Sequence, residues 1–152
     1  MTATEPLVGL DVILIEDNED DVELVRRLLA RSGLSARLHV AMDADQAREL
    51  LLGCGASNNY EQRVVLLDLQ LPSEDGREIL RWMRTEPKLG SLHAVVVTSS
   101  SEHERISECL ELGCRMYLLK PIDIADVANI VWGIRRLWGR VQGTEHEDTK
   151  VA

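Results

Sequence analysis

Apolar residues in this chain fall into short runs separated by longer amphipathic stretches. Leu10 to Ile15, Ala36 to Val40, Val64 to Leu67, His93 to Val97 and Met116 to Leu119 are too short for confident helices and read as strands. Val64 to Leu67 is apolar throughout, as expected of a strand buried on both faces. Between the strands, apolar positions recur at helical spacing: Val22, Val25, Leu28 and Leu29, then Ala47, Leu50 and Leu51, then Ile79, Leu80 and Met83, then Ile106, Cys109 and Leu110. Gly33 and Gly113 close two of these helices, and a third stops before Pro87. A last helix begins near Asp123. Val127, Ile130, Val131, Ile134, Leu137, Trp138 and Val141 continue one apolar stripe along it, with Trp132 off the stripe.

Five strands alternating with five helices predict a parallel sheet with right-handed crossovers and helices on both faces. Residues 10–141 form the expected domain, after a short lead at 1–9 and before an acidic flexible tail at 142–152. Residues 53–60 have the composition of a surface loop. In such a sheet all strand C-termini share one edge, where ligands bind. That edge collects Glu16 and Asp17 from the first strand, Asp68 from the third, Thr98 from the fourth and Lys120 from the fifth.

Composition narrows the function classes. A formal net charge of −9 disfavours a nucleic-acid-binding surface. No apolar run has the length of a membrane span, and residues 1–6 lack the basic and apolar regions of a signal peptide. Three scattered cysteines, Cys54, Cys109 and Cys114, fit neither a disulfide framework nor a zinc site. The chain reads as soluble and cytoplasmic.

Five acids crowd residues 16–21. Some load the N-terminus of the first helix, where the macrodipole favours negative charge. Glu16 and Asp17 come too early for that and, with Asp68, call for a cation. Hard oxygen donors without His or Cys suit Mg²⁺. An ionised Asp is also a nucleophile able to form an acyl phosphate, with Lys120 as a point charge and Thr98 as a hydroxyl donor for the phosphoryl oxygens.

This combination resembles the receiver domain of bacterial response regulators over nearly the whole chain. The separations from Asp68 to Thr98, 30 residues, and to Lys120, 52 residues, match that family's usual spacing. The resemblance implies a flavodoxin-like doubly wound α/β fold with strand order 2-1-3-4-5. It implies Asp68 as phosphoacceptor, Asp17 as a direct Mg²⁺ ligand, Glu16 acting mainly through a metal-bound water, and the Gln70 backbone carbonyl completing the protein ligands. Thr98 and Lys120 would contact the phosphoryl group, Tyr117 would be the aromatic switch residue, and Lys120-Pro121 would be cis. The long loop before the third strand, the Glu16-Asp17-Asn18 start, Leu71-Pro72 and the late Trp are similar to single-domain regulators that partner phytochrome-type histidine kinases. Ser99 departs from the small Ala or Gly frequent at its position.

The implied function is a phosphorylation-operated switch. A sensor histidine kinase donates to Asp68, Thr98 and Tyr117 rearrange, and output is by protein–protein contact. Large apolar side chains on two sides of the last helix predict a homodimer face formed with the fourth helix and fifth strand. One alternative is a phosphorylation-independent adaptor, which an intact acid cluster opposes. Another is an Asp-nucleophile phosphohydrolase; such enzymes carry a second acid two residues after the nucleophile, where this chain has Gln70.

Overall fold

The computed structural model describes residues 8–54, 63–90, 92–99 and 103–138. Strands β1 (Val8–Ile15), β2 (Ser35–Ala41), β3 (Arg63–Asp68), β4 (His93–Thr98) and β5 (Met116–Leu119) alternate with helices α1 (Glu19–Arg31), α2 (Ala44–Cys54), α3 (Gly76–Thr85), α4 (His103–Glu111) and α5 (Ile124–Trp132). The strands form one parallel sheet in the order β2-β1-β3-β4-β5. This is the expected doubly wound α/β fold.

Alternation along the strands sorts the core into two layers. Ile13, Ile15, Val65, Leu67, Ala94 and Val96 pack with Leu51, Leu80, Met83 and Cys109, the face covered by α2, α3 and α4. Leu10, Leu14, Val64, Leu66, Val95 and Val97 pack with Val25, Leu28, Val127 and Ile130, the face covered by α1 and α5. Every residue of β3 and β4 is buried. Each Val or Leu so placed contributes about 1.5–3 kcal/mol of transfer free energy, which holds the central strand tips rigidly in register.

The helix boundaries have local causes. Asn18 caps α1 by accepting from the Asp21 N–H at 3.0 Å. Asp123 caps α5 in a reciprocal capping box with Asp126. Gly33 and Gly113 follow α1 and α4 with φ of 80° and 93°, the left-handed conformation that glycine tolerates.

Several expectations need correction. β1 starts at Val8, inside the segment expected as a lead at 1–9. α2 runs through Gly53 and Cys54, both expected in the following loop, because helical hydrogen bonding carries on past the last inward residue. The rest of that loop, Val141 and the acidic tail lie outside the described residues.

The last helix is also not uniform. α5 passes at Gly133 into a π-helical turn, Gly133–Leu137, in which the Trp138 N–H donates to the Gly133 carbonyl at 2.8 Å. The wider turn shifts the helical phase. Val127, Ile130, Ile134 and Trp138 stay inward, whereas Leu137, expected on the same stripe, is 62% exposed. Trp138 instead reaches the start of β4, with its ring centroid 5.4 Å from that of His93.

Candidate functional site

Parallel strands bring their C-terminal tips to one edge, and there the chain gathers its charged groups. Glu16 follows β1. Its backbone N–H donates to the Ala41 carbonyl at the end of β2, and its carboxylate accepts the Asn18 N–H at 3.1 Å. Asp68 ends β3 and is 4% exposed. One of its oxygens, Oδ1, accepts the Gln70 N–H at 2.9 Å. Asp17 is exposed beside them. Glu16, Asp17 and Asp68 each offer a carboxylate oxygen, all within 4.8 Å of one another.

Lys120, just past β5, closes the cluster. Its ammonium lies 2.8 Å from Glu16, 2.8 Å from Asp21 and 3.2 Å from Asp68 Oδ2. The Lys120-Pro121 peptide is cis, and the Lys120 N–H donates to the Thr98 carbonyl at 2.9 Å. Glu16, Asp17, Asp21, Asp68 and Lys120 wall an open cleft of about 680 Å³, lined also by Gln70 and Ser99.

The electrostatics follow from burial. Burial raises the Glu16 carboxyl above the ordinary glutamate value, with the Lys120 ammonium and Asn18 amide opposing the rise and Asp68 adding to it. Burial alone would depress Lys120, but its hydrogen bonds to Asp21 and Glu16 and the charge of Asp68 hold its pKa above the ordinary lysine value. One cation thus serves four neighbouring carboxylates, counting Asp17. The excess negative charge and all-oxygen donor set fit a hard divalent ion: among the described residues, Glu16, Asp17 and Asp68 are grouped closely enough to hold it.

The other expected site residues fall as follows. Thr98 is fully buried at the tip of β4 and does not line the cleft, whereas its neighbour Ser99 does. Gln70 is exposed at the cleft and bridges to Asp75 in an antiparallel contact. Tyr117 lies on β5, 40% exposed. Sequence reasoning missed Asp21. It sits among the acids at the helix N-terminus, and nothing in the local pattern signals a partner 99 residues away.

Two further residues shape the loop after β3 from behind. The Gly76 N–H donates to the Leu69 carbonyl at 2.8 Å. Asp75 caps α3 through the Arg77 N–H, and Arg77 in turn reaches Glu108 on α4 at 2.6 Å.

A parallel sheet of this order with an acid cluster, an Asp at the β3 tip and a Lys before a cis proline defines a receiver-type α/β protein. Residues 12–131 match the family model of the response regulator receiver domain. The chain belongs to that family. It is 32% identical over 128 residues to "Response regulator Rcp1" of Synechocystis sp., covering 84% of this chain and 87% of that protein. Its fold is similar to the crystal structure of the phosphorylated cyanobacterial phytochrome response regulator RcpA, with TM-score 0.69 and 29% identity over 86% of this chain and 94% of that one. It is likewise similar to the Mn²⁺-bound form of response regulator Rcp1, with TM-score 0.61 and 30% identity over 84% and 93% of the two chains. No described helix is long and apolar enough to cross a membrane.

Proposed function

We propose that this chain is a cytoplasmic response regulator that accepts a phosphoryl group on Asp68 from a sensor histidine kinase and signals by protein–protein contact. The observation that carries this reading is the position of Lys120, 3.2 Å from a buried Asp68 whose tip is shared with Glu16 and Asp17. The Gln70 amide pins Oδ1 and leaves Oδ2 on the Lys120 side. In the transfer, Oδ2 forms the new O–P bond as the N–P bond to the kinase histidine breaks, and the imidazole leaves with the electron pair of that bond. Lys120 stabilises the charge on the phosphoryl oxygens.

Mg²⁺, when bound, neutralises the carboxylates and the phosphoryl oxygens. Glu16, Asp17, Asp68 and the Gln70 carbonyl would hold it. The Mn²⁺-bound relative supports a divalent ion in this role. The same reading makes Thr98 and Tyr117 the switch pair. Thr98 is a buried hydroxyl at the β4 tip and Tyr117 a part-exposed ring on β5, and in this reading both change environment once a phosphoryl group arrives.

The similarity to a phytochrome response regulator supports a phytochrome-type kinase as the donor. Exposed Tyr117 and Leu119 on β5 and Ile124 and Trp132 on α5 support a homodimer through this face. Sedimentation with and without beryllofluoride tests the dimer, and an unchanging monomer removes it.

The decisive experiment is Mg²⁺-dependent labelling with acetyl phosphate. Wild type takes up one phosphoryl group, and Asp68→Asn takes up none. Equal labelling of the two would overturn Asp68 as acceptor.

A further inference from the structure

An ammonium has three N–H donors, and all three of those on Lys120 have a carboxylate within reach. Two of the acceptors, Glu16 and Asp68, belong to the acid cluster. The third, Asp21 on α1, stands outside it, yet its Oδ2 is 2.8 Å from Nζ, closer than Asp68 at 3.2 Å. Asp21 is held in that position by its own backbone, since its N–H donates to the Asn18 cap. Its side chain is 34% exposed and that of Lys120 18%, so the pair is only partly screened.

We infer that Asp21 is a positioning residue for the phosphoacceptor. It tethers Lys120 toward α1 and competes with the group on Asp68 for the ammonium. This deepens the reading of Asp68 as phosphoacceptor and rests on it. A cation shared with Asp21 gives less of its field to the phosphoryl oxygens, so the tether sets the balance between the free and the phosphorylated forms. Glu16 and Asp68 exchange Lys120 for a divalent ion or a phosphoryl group as the site fills. Asp21, which is no part of the ion's donor set, keeps its claim on the ammonium throughout.

The test measures the affinity of the full chain for beryllofluoride, a phosphoryl mimic, in the presence of Mg²⁺. Asp21→Asn keeps the shape of the side chain and removes its charge. It is expected to bind the mimic about fivefold more tightly, the scale of a partly exposed ion pair. Asp20→Asn removes the same charge from the same helical turn and is expected to change affinity by less than about twofold, the residue of screened through-space repulsion. Asp21→Glu restores the charge and brings the affinity back toward wild type. Equal tightening in Asp20→Asn and Asp21→Asn, or unchanged or weaker binding in Asp21→Asn, overturns the tether while leaving Asp68 as acceptor. If neither wild type nor any variant binds the mimic, the acceptor reading falls and the tether with it.

Discussion

The α-carbon of Gly76 is packed against the backbone of Asp68. A β-carbon added at Gly76 would stand 2.5 Å from the Asp68 carbonyl oxygen and 2.7 Å from the Leu69 α-carbon. Both are main-chain atoms at the end of a fully buried strand, so neither can give way alone. Gly76→Ala is therefore expected to push the loop after Asp68 outward and to weaken the Gly76 to Leu69 hydrogen bond. The cost is about 1–3 kcal/mol, the range for overpacking a tight interior. Urea unfolding measures that loss, and acetyl phosphate labelling should slow in parallel. A variant with wild-type stability and wild-type labelling would show that the loop does not depend on this contact.

Lys120 is the counter-charge for Glu16, Asp21 and Asp68. Lys120→Gln leaves these carboxylates facing one another with Glu16 and Asp68 buried, which costs about 3 kcal/mol at neutral pH without a divalent ion, the lower end of the range for breaking a buried ion pair. Added Mg²⁺ should then raise the melting temperature more in the variant than in wild type, because ligand binding to the folded state recovers the lost charge compensation. Thermal unfolding with and without MgCl₂ checks this. Equal Mg²⁺ shifts in the two proteins would mean that Lys120 and the ion do not share a site.

His93 supplies a pH dependence remote from the cleft. It is 1% exposed, and its Nδ1 has no hydrogen-bond partner among the described residues. Burial, with the charges of Arg115 and Arg84 adding, pushes its imidazole down to about 4 from an ordinary 6.5. Above pH 6.5 both folded and unfolded chains hold it neutral. Between 6.5 and 4 the unfolded chain binds a proton that the folded one does not, so stability falls as pH falls through that window and levels off below it. The contribution is on the order of 3 kcal/mol. The stability difference between wild type and His93→Leu, from urea unfolding at stepped pH, should shrink by that amount between pH 7.5 and 4. A constant difference would place the imidazole in contact with solvent or with a partner.

The strand tips were legible because short apolar runs that end in a polar residue have few other uses. Glu16, Asp68, Thr98 and Lys120 each follow such a run, and parallel topology then obliges them to meet. The contacts that tune the site were not legible. Asp21 obeys the rule for acids at a helix N-terminus, and its bond to Lys120 depends on how α1 leans over the sheet. Gly76 reads as an ordinary turn residue until the Asp68 carbonyl is seen behind it. Leu137 satisfies the helical period from Ile134 as well as Trp138 does, and only the change of pitch at Gly133 decides between them. Periodicity assigns faces while the pitch is constant, and it has no means of announcing where the pitch changes.

That change of pitch leads to the last prediction. Gly133 lies beneath the indole of Trp138, and a β-carbon there would overlap the ring. The indole packs on His93 at the N-terminal end of β4, so the π-helical turn ties the end of α5 to the N-terminal edge of the sheet. Gly133→Ala should expel the ring. The alanine itself favours helix, by roughly 1 kcal/mol relative to glycine. The loss of Trp138 burial opposes this and is the larger effect, because a buried aromatic is worth about 3 kcal/mol or more. A net destabilisation of about 2 kcal/mol is expected, with tryptophan emission shifted to the red. In a Trp138→Ala background the same Gly133→Ala change has no ring to strike, and only the helix propensity remains, so the substitution should become neutral or stabilising. The sign reversal between the two backgrounds, read from urea unfolding as a double-mutant cycle, isolates the contact. Additive effects would show that Trp138 and Gly133 are independent and that the turn owes its pitch to another cause.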